Sequence, residues 1–278
     1  MVTTPNPAPG DPRLSAETAE LVVPPARRED PVWDGWDVAG LFVVAVLALV
    51  LASLAALVVA RHLGAFHGEK ISALLRNPRV ALPGQALGYA VIVAFMYSIV
   101  RRSGARFWRA LKWNWPRMWV AYLVLGVGVA LGLQLLAAKL PIPKKLPIDE
   151  LFRDAASAYL MAFFGVLVAP LIEELFFRGF LYPVLLRACE RLAAGGVAMG
   201  MAVALTALPF ALMHAGQLAV SWAPLLVLFL VGVALTLVRA RTQSLAASVL
   251  THAGYNLTLF VMIWLASDHF RHLERLAR

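Results

Sequence analysis

Long apolar segments separated by short polar connections dominate this chain. A helix needs about 20 predominantly apolar residues to span a lipid bilayer. Seven segments have roughly that length or more: residues 38–60, 83–100, 118–138, 155–186, 195–213, 222–238 and 244–266. The predicted fold is therefore all-α, a polytopic bundle of seven transmembrane helices, or of eight if residues 155–186 form two.

The composition supports a membrane location. Hydrophobic residues make up 61% of the chain and charged residues 15%, and the mean hydropathy is +0.75. A net charge of +9 would suggest nucleic acid as the partner of a soluble protein. Here the Lys and Arg residues lie between apolar segments, as topology determinants and lipid headgroup contacts do. We therefore predict an integral, multi-pass membrane protein whose partners include the lipid bilayer and no nucleic acid.

The polar regions at the start of the chain and after the second segment have different compositions. Residues 1–34 are rich in Pro, Ala, Thr, Glu and Asp and are predicted to be a disordered tail, so the membrane domain covers residues 35–278. Trp33 and Trp36 precede the first segment and are predicted to be interfacial anchors. The connection 101–117 has basic residues, tryptophans and no acid, which predicts a helix in the headgroup layer on the cytoplasmic side.

The fourth apolar segment contains two adjacent carboxylates and an arginine. A charge at the bilayer centre costs ~2.5–3.5 kcal/mol on insertion scales, so such residues need partners or a function. Glu174 and Arg178 are spaced for an i,i+4 ion pair, whereas the helical pitch turns Glu173 about 100° away from Glu174. Pro170 and Gly179 predict a kink or break, which membranes tolerate where the helix lines a cavity.

Two later segments contain the other polar clusters. His214 ends the sequence Phe210-Ala-Leu-Met-His214, and His252 and Asn256 lie on one face of their helix. Polar residues in separate spans usually face the bundle interior, so these clusters are predicted to meet Glu173. A carboxylate and an imidazole can position and deprotonate a water. A second imidazole and a carboxamide can hold an oxyanion.

These residues favour a hydrolase without a covalent nucleophile. The sequence contains no G-x-S-x-G elbow and no H-E-x-x-H zinc helix. The single cysteine, Cys189, excludes an intramolecular disulfide and a Cys-based zinc site. The alternative is a non-enzymatic immunity or scaffolding protein, or a small proton-coupled transporter, in which the same residues form a packing network or proton relay. No internal repeat is evident, which weakens a transporter built from inverted halves.

Three motifs carry a resemblance to a known family. Glu-Glu-x-x-x-Arg at 173–178, Phe-x-x-x-His at 210–214 and His-x-x-x-Asn at 252–256 resemble, in this order, the signature motifs of the CPBP family. This family comprises type II CAAX prenyl endopeptidases and bacteriocin-processing or Abi-like intramembrane proteases. The resemblance covers about residues 155–266 and includes Arg178-Gly-Phe-Leu-Tyr182. It implies an intramembrane endopeptidase in a prokaryotic plasma membrane, acting on a membrane-associated peptide or protein that is prenylated or otherwise lipid-linked.

The resemblance also implies residue roles. Glu173 would be the catalytic carboxylate that activates water, with assistance from His214. His252 and Asn256 would stabilise the oxyanion of the tetrahedral intermediate. The supporting residues would be Glu174 and Arg178, as an ion pair that fixes the broken helix, together with Phe210.

The sequence does not decide whether the protein requires a metal ion. The family has been described both as metalloproteases and as metal-independent, glutamate-dependent proteases. One Glu and two His could bind zinc in a site with an open water position, and here these would be Glu173, His214 and His252. We favour water activation without a metal, and a divalent metal, zinc, is the one cofactor left open.

Overall fold

The computed structural model of the protein describes residues 31–64, 66, 68–143, 145–152 and 154–274. In this part of the chain the regular structure is entirely helical, and seven helical runs are long and apolar enough to cross a membrane. The all-α, polytopic prediction is therefore confirmed. The helices outside the fourth span are α1 (Gly35–His62), α2 (Ile71–Leu75), α3 (Pro78–Arg102), α4 (Phe107–Ala110), α5 (Trp119–Ala137), α9 (Gly195–Leu212), α10 (Trp222–Thr242) and α11 (Leu245–Ala266).

The fourth span is one continuous helical run, Ala155–Glu190. It consists of α6 (Ala155–Phe163), a π-helical turn (Phe164–Val168), α7 (Ala169–Glu174), a second π-helical segment (Leu175–Leu181) and α8 (Tyr182–Glu190). Of the predicted kink or break at Pro170 and Gly179, the break is wrong, and the described part of the chain has seven candidate spans rather than eight. Pro170 cannot donate to the carbonyl of Val166, and the first π-helical turn contains that carbonyl. A change of helical register thus replaces the expected break.

Side chains at the helix starts cap several of these elements. Asp34 caps α1 and forms a capping box with Asp37. Asn77 accepts the N–H of Arg79 at the start of α3, and Ser244 accepts the N–H of Ala247 at the start of α11. Two short 3₁₀ segments, Pro147–Leu151 and Ala215–Leu218, lie between spans at the same end of the bundle and contact each other.

Two glycines let α5 and α11 pack with their backbones in contact. A Cβ placed on Gly126 would lie 2.1 Å from the carbonyl oxygen of Thr251. A Cβ on Gly254 would lie 2.3 Å from the carbonyl oxygen of Leu123. No side chain fits at either distance, so these two positions fix how closely α5 approaches the helix that carries His252 and Asn256.

The end of the predicted tail is packed rather than disordered. Trp33 is 2% exposed, its indole ring stacks on Phe180 at 4.4 Å, and its Nε1–H donates to the Phe180 carbonyl at 3.0 Å. Trp33 is therefore a core residue and not an interfacial anchor, whereas Trp36 is 85% exposed. The packed domain includes residues 31–34. The rest of the predicted tail, residues 1–30, lies outside the described residues.

The basic connection 101–117 is not one long interfacial helix. It contains only the short helix α4, and Phe107 and Leu111 are buried. Its second half joins the turn between α10 and α11, where Lys112 donates to the Gln243 side chain at 3.0 Å and accepts the N–H of Leu245. The connection therefore folds over the end of the bundle, and its placement on the cytoplasmic side stays a prediction.

Candidate active site

Glu174 lies at the centre of a buried polar network. Its carboxylate is 0% exposed and accepts from Arg178 Nη1 at 2.8 Å, which confirms the predicted i,i+4 ion pair. The same carboxylate accepts from His252 Nδ1 at 2.9 Å and from Ser248 Oγ at 2.6 Å. Glu174 therefore links the fourth span to α11, which is more than the supporting role that the motif implied for it.

Arg178 completes the pairing of this buried charge. Its Nε donates to Thr236 Oγ1 at 3.2 Å, and its Nη2 donates to the Gly232 carbonyl at 2.9 Å. The guanidinium carbon lies 4.4 Å from the centre of the Phe210 ring. A buried ion pair is tolerated only where further hydrogen bonds satisfy it, and the acceptors from α10 do so. The aromatic ring of α9 adds a cation–π contact.

The bond to Glu174 fixes the tautomer of His252. A carboxylate only accepts hydrogen bonds, so the Nδ1 of His252 carries the proton. Its Nε2 points the other way and lies 3.8 Å from Oε2 of Glu173. The imidazole thus lies between the two adjacent glutamates, with one ring nitrogen toward each.

His214 is held in a similar way by a different acceptor. It lies two residues beyond Leu212, the last residue of α9, and its Nδ1 is 2.8 Å from the carbonyl oxygen of Phe210, four residues earlier. A carbonyl also only accepts, so this nitrogen carries the proton and Nε2 is left as an acceptor. The Phe-x-x-x-His spacing therefore positions the imidazole through the Phe210 backbone as well as through its ring.

Asn256 contacts the fourth span at the first π-helical turn. Its Nδ2 donates to the carbonyl oxygen of Gly165 at 2.6 Å. A carboxamide nitrogen has two hydrogens, so one is bound here and the other remains for a substrate oxygen. The turn that accommodates Pro170 also provides the acceptor that orients Asn256.

One cavity of about 500 Å³ brings the predicted catalytic residues together. Glu173, His214, His252 and Asn256 all line it, and so does the ring of Phe210. The side chain of Glu173 is 11% exposed, so it faces this space while Glu174 is sealed behind it. Most of the other lining side chains are apolar, which suits a hydrophobic ligand.

The structure adds polar residues that the motif analysis missed. Ser248 and Thr236 bind the buried ion pair, and Gln85, Gln134 and Gln217 line the cavity. Gln85 and Gln134 stand inside predicted spans, and an intramembrane polar residue is a signal that sequence reading can detect. Ser248 and Thr236 offer no such signal, because hydroxyls in apolar helices commonly bond to their own backbone, as Thr236 also does with Gly232.

The predicted zinc ligands share the cavity but do not form a ligand cluster. In the described part of the chain no three His, Cys, Asp or Glu side chains are grouped so that they could hold one ion. Glu173, His214 and His252 therefore do not fit a zinc ion in this arrangement, and no catalytic step is assigned to a metal.

These observations define the class of protein: an integral, multi-pass membrane protein with a carboxylate, two imidazoles and a carboxamide in one cavity. The family model described as type II CAAX prenyl endopeptidase Rce1-like matches residues 155–258. This match includes every predicted site residue and confirms the resemblance to the CPBP family. Residues 155–258, which lie in the last four spans, are thus similar to this family of endopeptidases. Searches of curated proteins and of solved structures gave no match.

Proposed function

We propose that this protein is an intramembrane endopeptidase in which Glu173 activates the water that hydrolyses a peptide bond. The observation that carries the proposal is the shared cavity of Glu173, His214, His252 and Asn256. The Rce1-like match supports protease activity of the CAAX type. The substrate would be a membrane-associated peptide or protein, prenylated or otherwise lipid-linked, in the plasma membrane of a prokaryotic cell.

The first step is water attack. The Nε2 of His214 is an acceptor, because Nδ1 is bound to the Phe210 carbonyl, so it can orient a water against Glu173. Glu173 takes one proton from this water as its oxygen bonds to the carbonyl carbon of the substrate. When the C–N bond of the intermediate breaks, Glu173 returns the proton to the leaving amine. The products are a carboxylic acid and an amine.

His252 and Asn256 would stabilise the charge that develops on the substrate oxygen. Asn256 has one amide hydrogen left after its bond to Gly165. His252 donates from Nε2 only when both ring nitrogens are protonated. The buried carboxylate of Glu174 accepts the Nδ1–H of His252 at 2.9 Å and so holds the ring with Nε2 toward the cavity. Glu174 then acts as a positioning residue, which is the reason for its place behind His252.

The competing function is a proton relay or packing network without catalysis. The row formed by Glu173, His252 and Glu174 favours it, because such rows of titratable groups carry protons in transporters. The two proposals differ in their products: only the protease generates new peptide termini.

The test compares wild type with Glu173→Gln in the native host at matched expression. We expect new peptide termini in the membrane fraction of wild type that are absent with the variant. Glu190→Gln, which neutralises an exposed glutamate at the end of the same span, is the matched control and should cleave like wild type. Full cleavage by a correctly folded Glu173→Gln variant would overturn the mechanism, and identical termini in all samples would favour the relay.

A further inference from the structure

A second apolar space, distinct from the active-site cavity, lies along the outside of the bundle. It is a groove of about 860 Å³ between α3 and the fourth span. The α3 residues that line the groove are spaced so that they occupy one face of that helix: Ala86, Tyr89, Ala90, Val93, Ala94, Tyr97 and Arg101. From the first to the last of these positions the helix rises about 22 Å, at 1.5 Å per residue.

The two ends of the groove differ in charge. One end is formed by Arg101 and Arg106 together with the half-exposed Trp108. Neither arginine forms an ion pair with any residue in the described part of the chain, whereas the adjacent Arg102 binds Asp37 at 2.5 Å. The Arg101 guanidinium lies over the Tyr97 ring at 5.8 Å, and within the described residues neither arginine is neutralised by a carboxylate. Two such cations and a tryptophan at the end of a span are the features of a lipid headgroup contact.

The other end of the groove is apolar and lies beside the active site. Ala86 and Tyr89 line this end. Val168 and Ile172 line the side of the groove from the fourth span, which runs in the same direction as α3, since Asp154 binds Arg79 and the Phe164 ring stacks on Tyr89. Tyr89 forms part of the wall between groove and cavity, because its hydroxyl accepts from Gln85, which lines the cavity, at 2.7 Å. The groove therefore runs from a positively charged rim to an apolar end next to the cavity that contains Glu173.

We propose that this groove binds an anionic phospholipid, with the phosphate against Arg101 and Arg106 and one acyl chain along α3. The charge of the rim selects an anionic head, and the apolar wall accommodates the chain. The groove is longer than the depth of one leaflet, which is about half of the ~30 Å hydrocarbon core, so a whole acyl chain fits in it. The proposal rests on the membrane location of the chain and not on the proposed protease activity.

The polarity of the groove argues against the lipid tail of a substrate as its occupant. A lipid-linked peptide cleaved at Glu173 would place its polar backbone at the apolar inner end, where Tyr89 and Gln85 separate the groove from the cavity. Its apolar tail would then end between Arg101 and Arg106. A phospholipid has the opposite and matching orientation, with charge at the rim and hydrocarbon inside.

The test measures retention of phosphatidylglycerol and of phosphatidylcholine with the same acyl chains, using native mass spectrometry of the purified full chain. The variant Arg101→Gln/Arg106→Gln should weaken phosphatidylglycerol binding by about 10- to 30-fold, since each basic residue near an anionic surface contributes on the order of a few-fold to tenfold. The control Arg109→Gln/Arg117→Gln removes the same charge from the same connection outside the groove. It should change binding by less than about twofold.

A third variant tests the acyl chain. Ala90→Trp fills the exposed middle of the groove and leaves both arginines in place, so it should also weaken phosphatidylglycerol binding. Equal losses in the two arginine pairs, or equal retention of phosphatidylcholine by wild type, would overturn the proposal. Displacement of phosphatidylglycerol by a farnesylated peptide would assign the groove to the substrate instead.

Discussion

Glu173 and Glu174 are adjacent glutamates on two faces of the fourth span, and their surroundings differ. Glu174 is 0% exposed and accepts from Arg178, His252 and Ser248. Glu173, one residue earlier, faces the cavity, and Nε2 of His252 lies 3.8 Å from its Oε2. A buried carboxylate with both oxygens bound holds its neighbours in place, whereas one that faces a cavity can bind water and accept a proton.

Substituting each glutamate by glutamine should give the largest and clearest contrast. We expect Glu173→Gln to lower cleavage by about 10²–10⁴-fold, the usual contribution of a general base, with little change in unfolding temperature. Glu174→Gln leaves Arg178 as a buried, uncompensated charge and should destabilise the protein by about 3–5 kcal/mol. The measurements are peptide cleavage and unfolding in detergent. A stable Glu174→Gln variant with normal activity would erase the distinction between the two faces.

The packing of α11 against α5 offers a second, smaller perturbation. Gly126→Ala places a Cβ 2.1 Å from the Thr251 carbonyl oxygen and must push α11 away, along with His252. We expect a loss of about 1–3 kcal/mol in unfolding free energy, typical of overpacking, and a lower kcat.

Gly128→Ala is the matched control for this substitution. It lies on the same helix, and a Cβ there would have no atom within 4 Å. Its unfolding free energy should change by less than ~0.5 kcal/mol, as at other surface positions. Equal effects at the two positions would show that helix propensity, rather than the contact with α11, accounts for the loss.

The sequence predicted one part of this site well and another part poorly, for physical reasons. Charges in an apolar span are costly, so Glu173, Glu174 and Arg178 were conspicuous, and their i,i+4 geometry gave the ion pair directly. The π-helical turns were not predictable, because Pro170 signals a disturbed helix without specifying a break or a change of register. Trp33 was misassigned because a tryptophan before a span has the same sequence context whether it anchors or packs.

Contacts between helices that are distant in sequence could not be predicted from the sequence either. Gly126 and Gly254 are 128 residues apart by their positions, and nothing in the chain pairs them before the fold does. Similarly, Ser248 lies in an apolar helix, and only the structure places it 2.6 Å from Glu174. The motifs therefore identified the reactive groups, whereas the groups that hold them in place required the fold.

A smaller effect, on the pH dependence of stability, is expected at the start of the fourth span, far from Glu173 and Glu174. Asp154 caps α6, and its bond from the Ser157 N–H, 2.8 Å long, is the main cause that holds the pKa of this carboxyl below its ordinary value. The pKa is lower in the folded chain, so this contribution is present above the unfolded pKa and is lost as the pH falls through the folded pKa.

Asp154→Asn separates the charge from the cap, because Asn also caps helices. As the pH falls below the ordinary pKa of an aspartate, the unfolding temperature of the variant should fall less than that of wild type. At neutral pH the free energy of unfolding should change by less than ~1 kcal/mol. Parallel pH profiles of unfolding temperature for the two proteins would contradict this role of Asp154. Cleavage measured at neutral pH should be unaffected, since the cap touches neither face of Glu173 and Glu174.

Removal of metal ions by a chelator should have the smallest effect on cleavage. It tests only Glu173 and the other residues that line the cavity. The Nδ1 atoms of His214 and His252 are bound within the chain, and no three donors in the described residues are grouped around one point. If Glu173 activates water without a metal, cleavage should survive 1,10-phenanthroline at concentrations that inactivate a zinc protease reconstituted in the same detergent. Loss of cleavage that added Zn²⁺ restores would require Glu173, His214 and His252 to move together on loading. Glu173 would then be a ligand rather than a free base, and its contrast with Glu174 would be one of coordination instead of proton transfer.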